Sequence, residues 1–81
     1  MRVTVLFFAA MRERAAVDRL EINLQDHATI ADLQHLVVER FPQLKNYVQA
    51  ASYARNAEYA KSSQTLKDGD EIAIIPPISG G

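Results

Sequence analysis

The residues best suited to chemistry are the last two, Gly80 and Gly81. Neither carries a Cβ, so the pair can pass through a channel too narrow for other residues. Pro76 and Pro77 lack backbone N–H groups, so they end strand pairing and stiffen the base of a tail that leads away from it. The four residues from Ile78 onward, when extended, span at most about 14 Å. A carboxylate on such a tether can enter another protein's pocket, be activated as an acyl-adenylate and then be transferred.

The side chains give little support for catalysis within this chain. Its 81 residues include no Cys, which excludes disulfides, Cys-ligated zinc, a catalytic thiol and a side-chain persulfide. Nucleophile-elbow, phosphate-loop and zinc-protease motifs are absent from the sequence. Asp68, Asp70 and Glu71 lack the spacing of a calcium loop, so we expect solvated charges around a turn. His27 is expected in a loop and His35 on a solvated helix surface, so no metal site or bound cofactor is predicted.

Length, composition and charge describe one ordinary globular domain. Hydrophobic residues make up 48% and charged residues 23% of the chain, a balance unlike that of disordered proteins. The formal net charge of −1 excludes a strongly basic nucleic-acid binder, and no apolar run reaches the roughly 18 residues of a membrane span. The apolar stretch 3–11 is short for a signal peptide, and charged residues follow it at once. We therefore expect a cytoplasmic protein with neither nucleic-acid nor membrane partners.

Hydrophobic periodicity predicts strands flanking one main helix. The main helix begins after an N-cap at Thr29, with Asp32 in its first turn, and ends near Arg40 because Pro42 follows. The other predicted elements are a strand over 2–8 largely buried on both faces, a short helix over 9–16, a strand over 19–24 antiparallel to the first, and a last strand over 71–75 after a turn at 67–70. This pattern is typical of a two-layer α+β domain.

Residues 43–61 are ambiguous on local preference alone. Gln, Ala, Arg and Glu recur without Gly or Pro, which slightly favours helix. The alternative is a pair of short strands over 52–55 and 58–60 around an Asn56-Ala57 turn. Asn tolerates the positive φ of such a turn, whereas Ala is a poor second residue there.

Several segments resemble the small subunits of molybdopterin synthase, a family of ubiquitin-like β-grasp sulfur carriers. The matching segments are Leu6-Phe7-Phe8-Ala9, Arg12-Glu13, Leu66-x-Asp68-Gly69-Asp70-Glu71-Ile72-Ala73 and Pro76-Pro77-Ile78-Ser79-Gly80-Gly81. The resemblance implies a mixed sheet packed on one main helix, with a β-grasp domain over 1–76 and a flexible Gly-Gly tail over 77–81. It also replaces the helical preference with a short helix near 43–48 and a hairpin near 52–60.

The same resemblance implies how the tail works in molybdenum cofactor biosynthesis. An adenylating enzyme related to ubiquitin-activating enzymes uses ATP to adenylate the carboxylate of Gly81, and a sulfur donor converts it to a thiocarboxylate. The carrier then docks on the large synthase subunit and threads Pro77, Ile78, Ser79 and Gly80 into that subunit's active site. There it gives sulfur to cyclic pyranopterin monophosphate, forming molybdopterin. ATP is thus bound by the activating enzyme and the pterin by the large subunit, and the carrier is not an enzyme on its own.

Docking is expected to use apolar surface near the tail. Phe8, Tyr59 and Ile75 occupy positions that resemble the family's hydrophobic contact face. Three other functions remain open at this stage. They are a sulfur carrier for thiamine or tRNA thiolation, a ubiquitin-like modifier that forms isopeptide bonds through Gly81, and a β-grasp interaction domain with an inert tail.

Overall fold

The computed structural model describes residues 1–77, in which strands and helices alternate up to α3 and three consecutive strands follow. The elements are β1 (Arg2–Phe7), α1 (Ala9–Ala15), β2 (Arg19–Asn23), α2 (Ile30–Arg40), a 3₁₀ turn (Pro42–Leu44), α3 (Lys45–Ala50), β3 (Ser52–Arg55), β4 (Glu58–Ala60) and β5 (Glu71–Ile75). The predicted tail residues Ile78, Ser79, Gly80 and Gly81 lie outside the described residues.

The five strands form one mixed sheet in the order β2-β1-β5-β3-β4. β1 and β5 run parallel, with Phe7 beside Ile74, and the other three pairings are antiparallel. The antiparallel pairing of β1 with β2 and the ubiquitin-like β-grasp fold are therefore confirmed. Because β1 and β5 are parallel, their carboxyl ends lie at the same end of the sheet.

Helix α2 begins and ends where the sequence predicts. The Thr29 hydroxyl accepts the Asp32 N–H at 3.3 Å, and the Asp32 carboxylate accepts the Thr29 N–H at 2.8 Å. This capping box satisfies two N–H groups near the helix start. At the other end Phe41 leaves helical geometry (φ −129°, ψ 76°), as expected of a residue before proline. Its ring packs edge-on against Phe7, with 5.8 Å between centroids.

Only one face of the sheet is fully buried. The inner face supplies Val3, Val5, Phe7, Ile72 and Ile74 to the core, where they join the buried stripe of α2 formed by Ile30, Leu33 and Val37. On the outer face of β1, Thr4 and Leu6 are half-buried. The predicted burial of this strand on both faces is therefore wrong for its outer face, because the second layer covers the sheet from one side only.

Residues 51–60 depart from local sequence preference. The helical preference for 43–61 is wrong beyond residue 50, where β3 and β4 follow α3, whereas the short helix and hairpin implied by the family resemblance are confirmed. The cause is tertiary, since β3 pairs with β5 over four residues. Tyr53 is buried, and its hydroxyl donates to the Val48 carbonyl at 2.9 Å. Such packing outweighs intrinsic propensity.

The β3–β4 hairpin turns through two residues with left-handed backbone. Asn56 has φ 50° and Ala57 has φ 72°, the combination that a two-residue type I′ turn requires. Asn adopts this region readily, but the Cβ of Ala makes it unfavourable. The turn is therefore locally strained at Ala57.

Replacing Ala57 with Gly is expected to raise the free energy of unfolding by about 1 kcal/mol, because glycine adopts a positive φ without the Cβ clash. Ala31→Gly within α2 is the control and should lower it by about 1 kcal/mol. Urea titrations of the three proteins measure both changes. A free energy of unfolding of Ala57→Gly at or below that of the unmodified chain would contradict the strain at this turn.

Burial raises the pKa of the Tyr53 phenol from its usual 10.0, and a hydrogen bond with Gln34 offsets part of this rise. A raised folded-state pKa stabilises the fold below the unfolded pKa, and that stability is lost as pH rises through the folded pKa. The free energy of unfolding should therefore fall above about pH 10. It should fall less steeply in Tyr53→Phe than in the unmodified chain. Equal pH slopes for the two proteins would refute this role of Tyr53.

Candidate docking face and carrier tail

The three predicted docking residues lie together on the outer face of the sheet. Phe8, Tyr59 and Ile75 line one open depression of about 450 Å³, here called the apolar groove. Its full lining is Phe8, Ala54, Ala57, Tyr59, Ala73, Ile75 and Pro76. Sequence reasoning missed Pro76 and the three alanines as lining residues. For Ala54 and Ala73 the signal is a small residue at an outward-facing strand position whose neighbours face the core, whereas Ala57 lies in the hairpin turn.

Strand register explains the floor of the apolar groove. Ala54 of β3 pairs with Tyr59 of β4 on one side and with Ala73 of β5 on the other. Residues paired in this way face the same side of a sheet. Ala73 in turn pairs with Leu6 of β1. Two methyl side chains therefore lie between larger side chains, which leaves a low floor.

Phe8 and the end of β5 form the wall nearest the tail. Phe8 connects β1 to α1 in extended backbone (φ −129°, ψ 157°). Its carbonyl accepts the N–H groups of Met11 at 3.1 Å and Arg12 at 3.3 Å, so the start of α1 fixes its position. β5 ends at Ile75, and Pro76 then completes this wall.

These side chains form an apolar patch that residues 1–77 leave uncovered. Phe8 is 43% exposed and Tyr59 is 78% exposed, and they are the large hydrophobic side chains classed as exposed in that range. Ile75, the last residue of β5, is half-buried. Scattered apolar residues on a surface need no explanation, but a contiguous patch is typical of an interaction site.

Apart from Leu6, which is apolar and half-buried, the remainder of the outer face of β1 and β2 is polar. At the opposite end of β1, Arg2 and Glu21 approach to 3.8 Å with both side chains well exposed, and Thr4 pairs with Glu21. An exposed ion pair of this kind contributes little to stability. The apolar groove is thus confined to the end of the sheet where β5 leads into the tail.

A buried carboxylate holds the hairpin against β5. Asp70 is only 6% exposed. Its Oδ1 accepts from Asn56 Nδ2 at 2.9 Å, and its Oδ2 accepts from the Lys67 N–H at 2.8 Å. Arg55 Nε lies 3.5 Å from the same Oδ2. Hydrogen bonds and a cation thus compensate the cost of burying this charge.

The prediction that Asp68, Asp70 and Glu71 are all solvated is therefore wrong for Asp70. Asp68 is exposed and accepts the Arg2 N–H at 2.7 Å, and Glu71 is exposed as well. Sequence alone does not distinguish the two turn aspartates, because two of the three partners of Asp70, Arg55 and Asn56, come from the distant β3–β4 hairpin. His27 lies in a turn and His35 is exposed on α2, as predicted.

The base of the tail borders the apolar groove. Pro76 lines it and Pro77 is exposed. The threading roles of Pro77 to Gly80 and the reacting role of Gly81 stay predictions. Within residues 1–77, no group of three or more His, Cys, Asp or Glu side chains is arranged to hold a metal ion. None of the helices in that range is long and apolar enough to cross a membrane.

Comparison with known proteins identifies the family. A model described as the ThiS family matches residues 5–81. The chain belongs to the ThiS family. A curated relative of this ThiS-family chain is the molybdopterin synthase sulfur carrier subunit of Chlamydomonas reinhardtii, 41% identical over 83 residues, with 100% of both chains covered. The resemblance to the small subunits of molybdopterin synthase, stated from the sequence, is confirmed.

Solved structures of similar chains carry two kinds of name. One is the protein-protein complex of subunits 1 and 2 of molybdopterin-converting factor from Helicobacter pylori, with TM-score 0.72, 27% identity and 100% of both chains covered. Another is the small archaeal modifier protein 1 from Methanosarcina acetivorans, with TM-score 0.84, 26% identity, and 99% of this chain and 96% of that chain covered. The first neighbour is named as part of a two-subunit complex, and the second is named as a modifier protein.

Tyr59→Ala should change the free energy of unfolding by less than about 0.5 kcal/mol, because the side chain is exposed. Ile74→Ala, which truncates a fully buried side chain on β5, should cost about 2–5 kcal/mol. Chemical denaturation compares the two variants. A loss above about 2 kcal/mol for Tyr59→Ala would mean that this residue belongs to the core rather than to a docking face.

Proposed function

We propose that this chain is the sulfur carrier subunit of molybdopterin synthase and that its reacting group is the carboxylate of Gly81. The observation that carries the proposal is the full-length identity of 41% to a subunit of that name. The apolar groove supports it, because an uncovered patch at the base of the tail suits a protein that presents its terminus to a partner.

The chemistry divides between the carrier and its partners. In the first step a carboxylate oxygen of Gly81 attacks the α-phosphorus of ATP on an adenylating enzyme, and pyrophosphate leaves. Hydrosulfide from a sulfur donor then attacks the acyl-adenylate carbon and displaces AMP, which leaves a thiocarboxylate on Gly81. Because the sequence has no Cys, no thiol side chain can hold a transferable sulfur atom. In this proposal the sulfur is bound to the terminal carboxyl group.

The acceptor of the sulfur is cyclic pyranopterin monophosphate, held by the large synthase subunit. In this proposal Pro77, Ile78, Ser79 and Gly80 occupy that subunit's channel, where glycine's missing Cβ permits a close approach. Two such transfers supply the two sulfurs of the molybdopterin dithiolene. The large subunit contributes the acids and bases, so this chain is the sulfur-donating subunit rather than the whole enzyme.

The large subunit is proposed to cover the apolar groove. The Helicobacter pylori neighbour, a complex of subunits 1 and 2 of molybdopterin-converting factor, supports an assembly of this kind. Phe8, Tyr59 and Ile75 are the anchors that such a partner would bury, because large apolar and aromatic side chains at the centre of an interface contribute most of its binding energy.

Incubation with ATP, a sulfide source and the adenylating enzyme should increase the intact mass by the replacement of one oxygen with sulfur. Tandem mass spectrometry should place the change on Gly81. A variant lacking Gly81 is the matched control and should gain no sulfur. Sulfur retained by that shortened variant, or no gain by the full chain with a competent enzyme, would reject Gly81 as the carrier residue.

Phe8→Ala and Tyr59→Ala should each weaken binding of the large subunit about tenfold or more, with nearly unchanged melting temperatures. Glu21→Ala, on the polar half of the same sheet face, should bind as the unmodified chain does. Isothermal titration calorimetry measures the three dissociation constants. Weakening by Glu21→Ala alone would relocate the interface away from the apolar groove.

A second candidate function is covalent protein modification through Gly81. The observation that favours it is the Methanosarcina acetivorans neighbour named as a modifier protein. Adenylation is common to both functions, but the modifier's activated carboxyl group is attacked by a lysine amine of a target protein instead of by sulfur. Expression of a tagged chain in its own cells followed by a denaturing gel separates them, since isopeptide conjugates persist there as heavier bands.

A further inference from the structure

Tyr59 lies on β4, a short edge strand that few contacts hold in place. β4 is three residues long and pairs with β3 alone among the described strands. Tyr59 is also mostly exposed, so few core contacts hold it in place. The orientation of β4 therefore depends on the hairpin turn that connects it to β3.

That turn is fastened to β5 through one side chain. Asn56 donates its backbone N–H to the Glu71 carbonyl at 2.8 Å, and its Oδ1 accepts the Glu71 N–H at 2.9 Å. Its Nδ2 donates to Asp70 Oδ1 at 2.9 Å. Asn56 thus connects the turn both to the first residue of β5 and to the buried carboxylate before it.

We propose that Asn56 and Asp70 are positioning residues for the docking surface, which hold the hairpin at the angle that places Tyr59 against the large subunit. This inference rests on the proposed function, because it assigns a role in that docking. Asn56 and Asp70 do not line the apolar groove, so their effect on binding is transmitted through the turn. Since Ala57 is the residue after Asn56 and lines the groove, a shift of the turn moves groove-lining atoms directly.

The test is a double-mutant cycle between Asn56→Gly and Tyr59→Ala. Glycine accepts the positive φ at position 56, so the backbone turn is retained while two side-chain hydrogen bonds are lost. Asn56→Gly alone should weaken binding of the large subunit roughly threefold to tenfold. In the Tyr59→Ala background the same change should weaken binding less than about twofold, because the Tyr59 side chain that Asn56 positions is already absent.

Asp68→Ala is the matched control. It removes one hydrogen bond of the neighbouring turn, to the Arg2 N–H at 2.7 Å, and should lower the melting temperature without changing the dissociation constant. Equal weakening of binding by Asn56→Gly in both backgrounds would overturn the positioning role. The role would also be overturned if Asn56→Gly lowered the melting temperature but left the dissociation constant unchanged. Unchanged binding by Tyr59→Ala itself would instead reject the proposed docking face, so the two failures are distinguishable.

Discussion

The parallel pairing of β1 and β5 is the constraint on which the arrangement of the site depends. Strands that run in the same direction end at the same end of a sheet. The residue after β1, Phe8, and the residues that end β5, Ile75 and Pro76, therefore lie together although nearly 70 residues separate them in sequence. An antiparallel pairing would place the base of the tail beside the polar start of β1, where Arg2 lies.

One-sided coverage of the sheet provides the second condition. The helices cover the inner face, which supplies the buried residues Phe7 and Ile74, and they leave the outer face uncovered. Small residues there, Ala54 and Ala73, keep the floor of the apolar groove low between larger neighbours. In the proposed docking, stability and partner binding use opposite faces of the same strands, so replacing a proposed docking residue need not unfold the domain.

Sequence was sufficient where local patterns decide the structure. Alternation located β1, β2 and β5, and the cap at Thr29 with Pro42 bounded α2. Local preference failed where distant contacts decide, because the hairpin after α3 exists through its pairing with β5. The burial of Asp70 could not be predicted from the sequence for the same reason, since Asn56 and Arg55 approach it only in the folded sheet. The family resemblance supplied what local preference lacked in this region.

Single-turnover sulfur transfer tests the central claim most directly. The chain is prepared with a thiocarboxylate on Gly81 and mixed with the large synthase subunit and cyclic pyranopterin monophosphate, without ATP or a sulfur donor. Mass spectrometry then follows both the carrier and the pterin. The account predicts that Gly81 returns to a carboxylate as sulfur appears in the pterin, with two carriers consumed per dithiolene. A thiocarboxylate that stays intact on a carrier bound to the large subunit would contradict it.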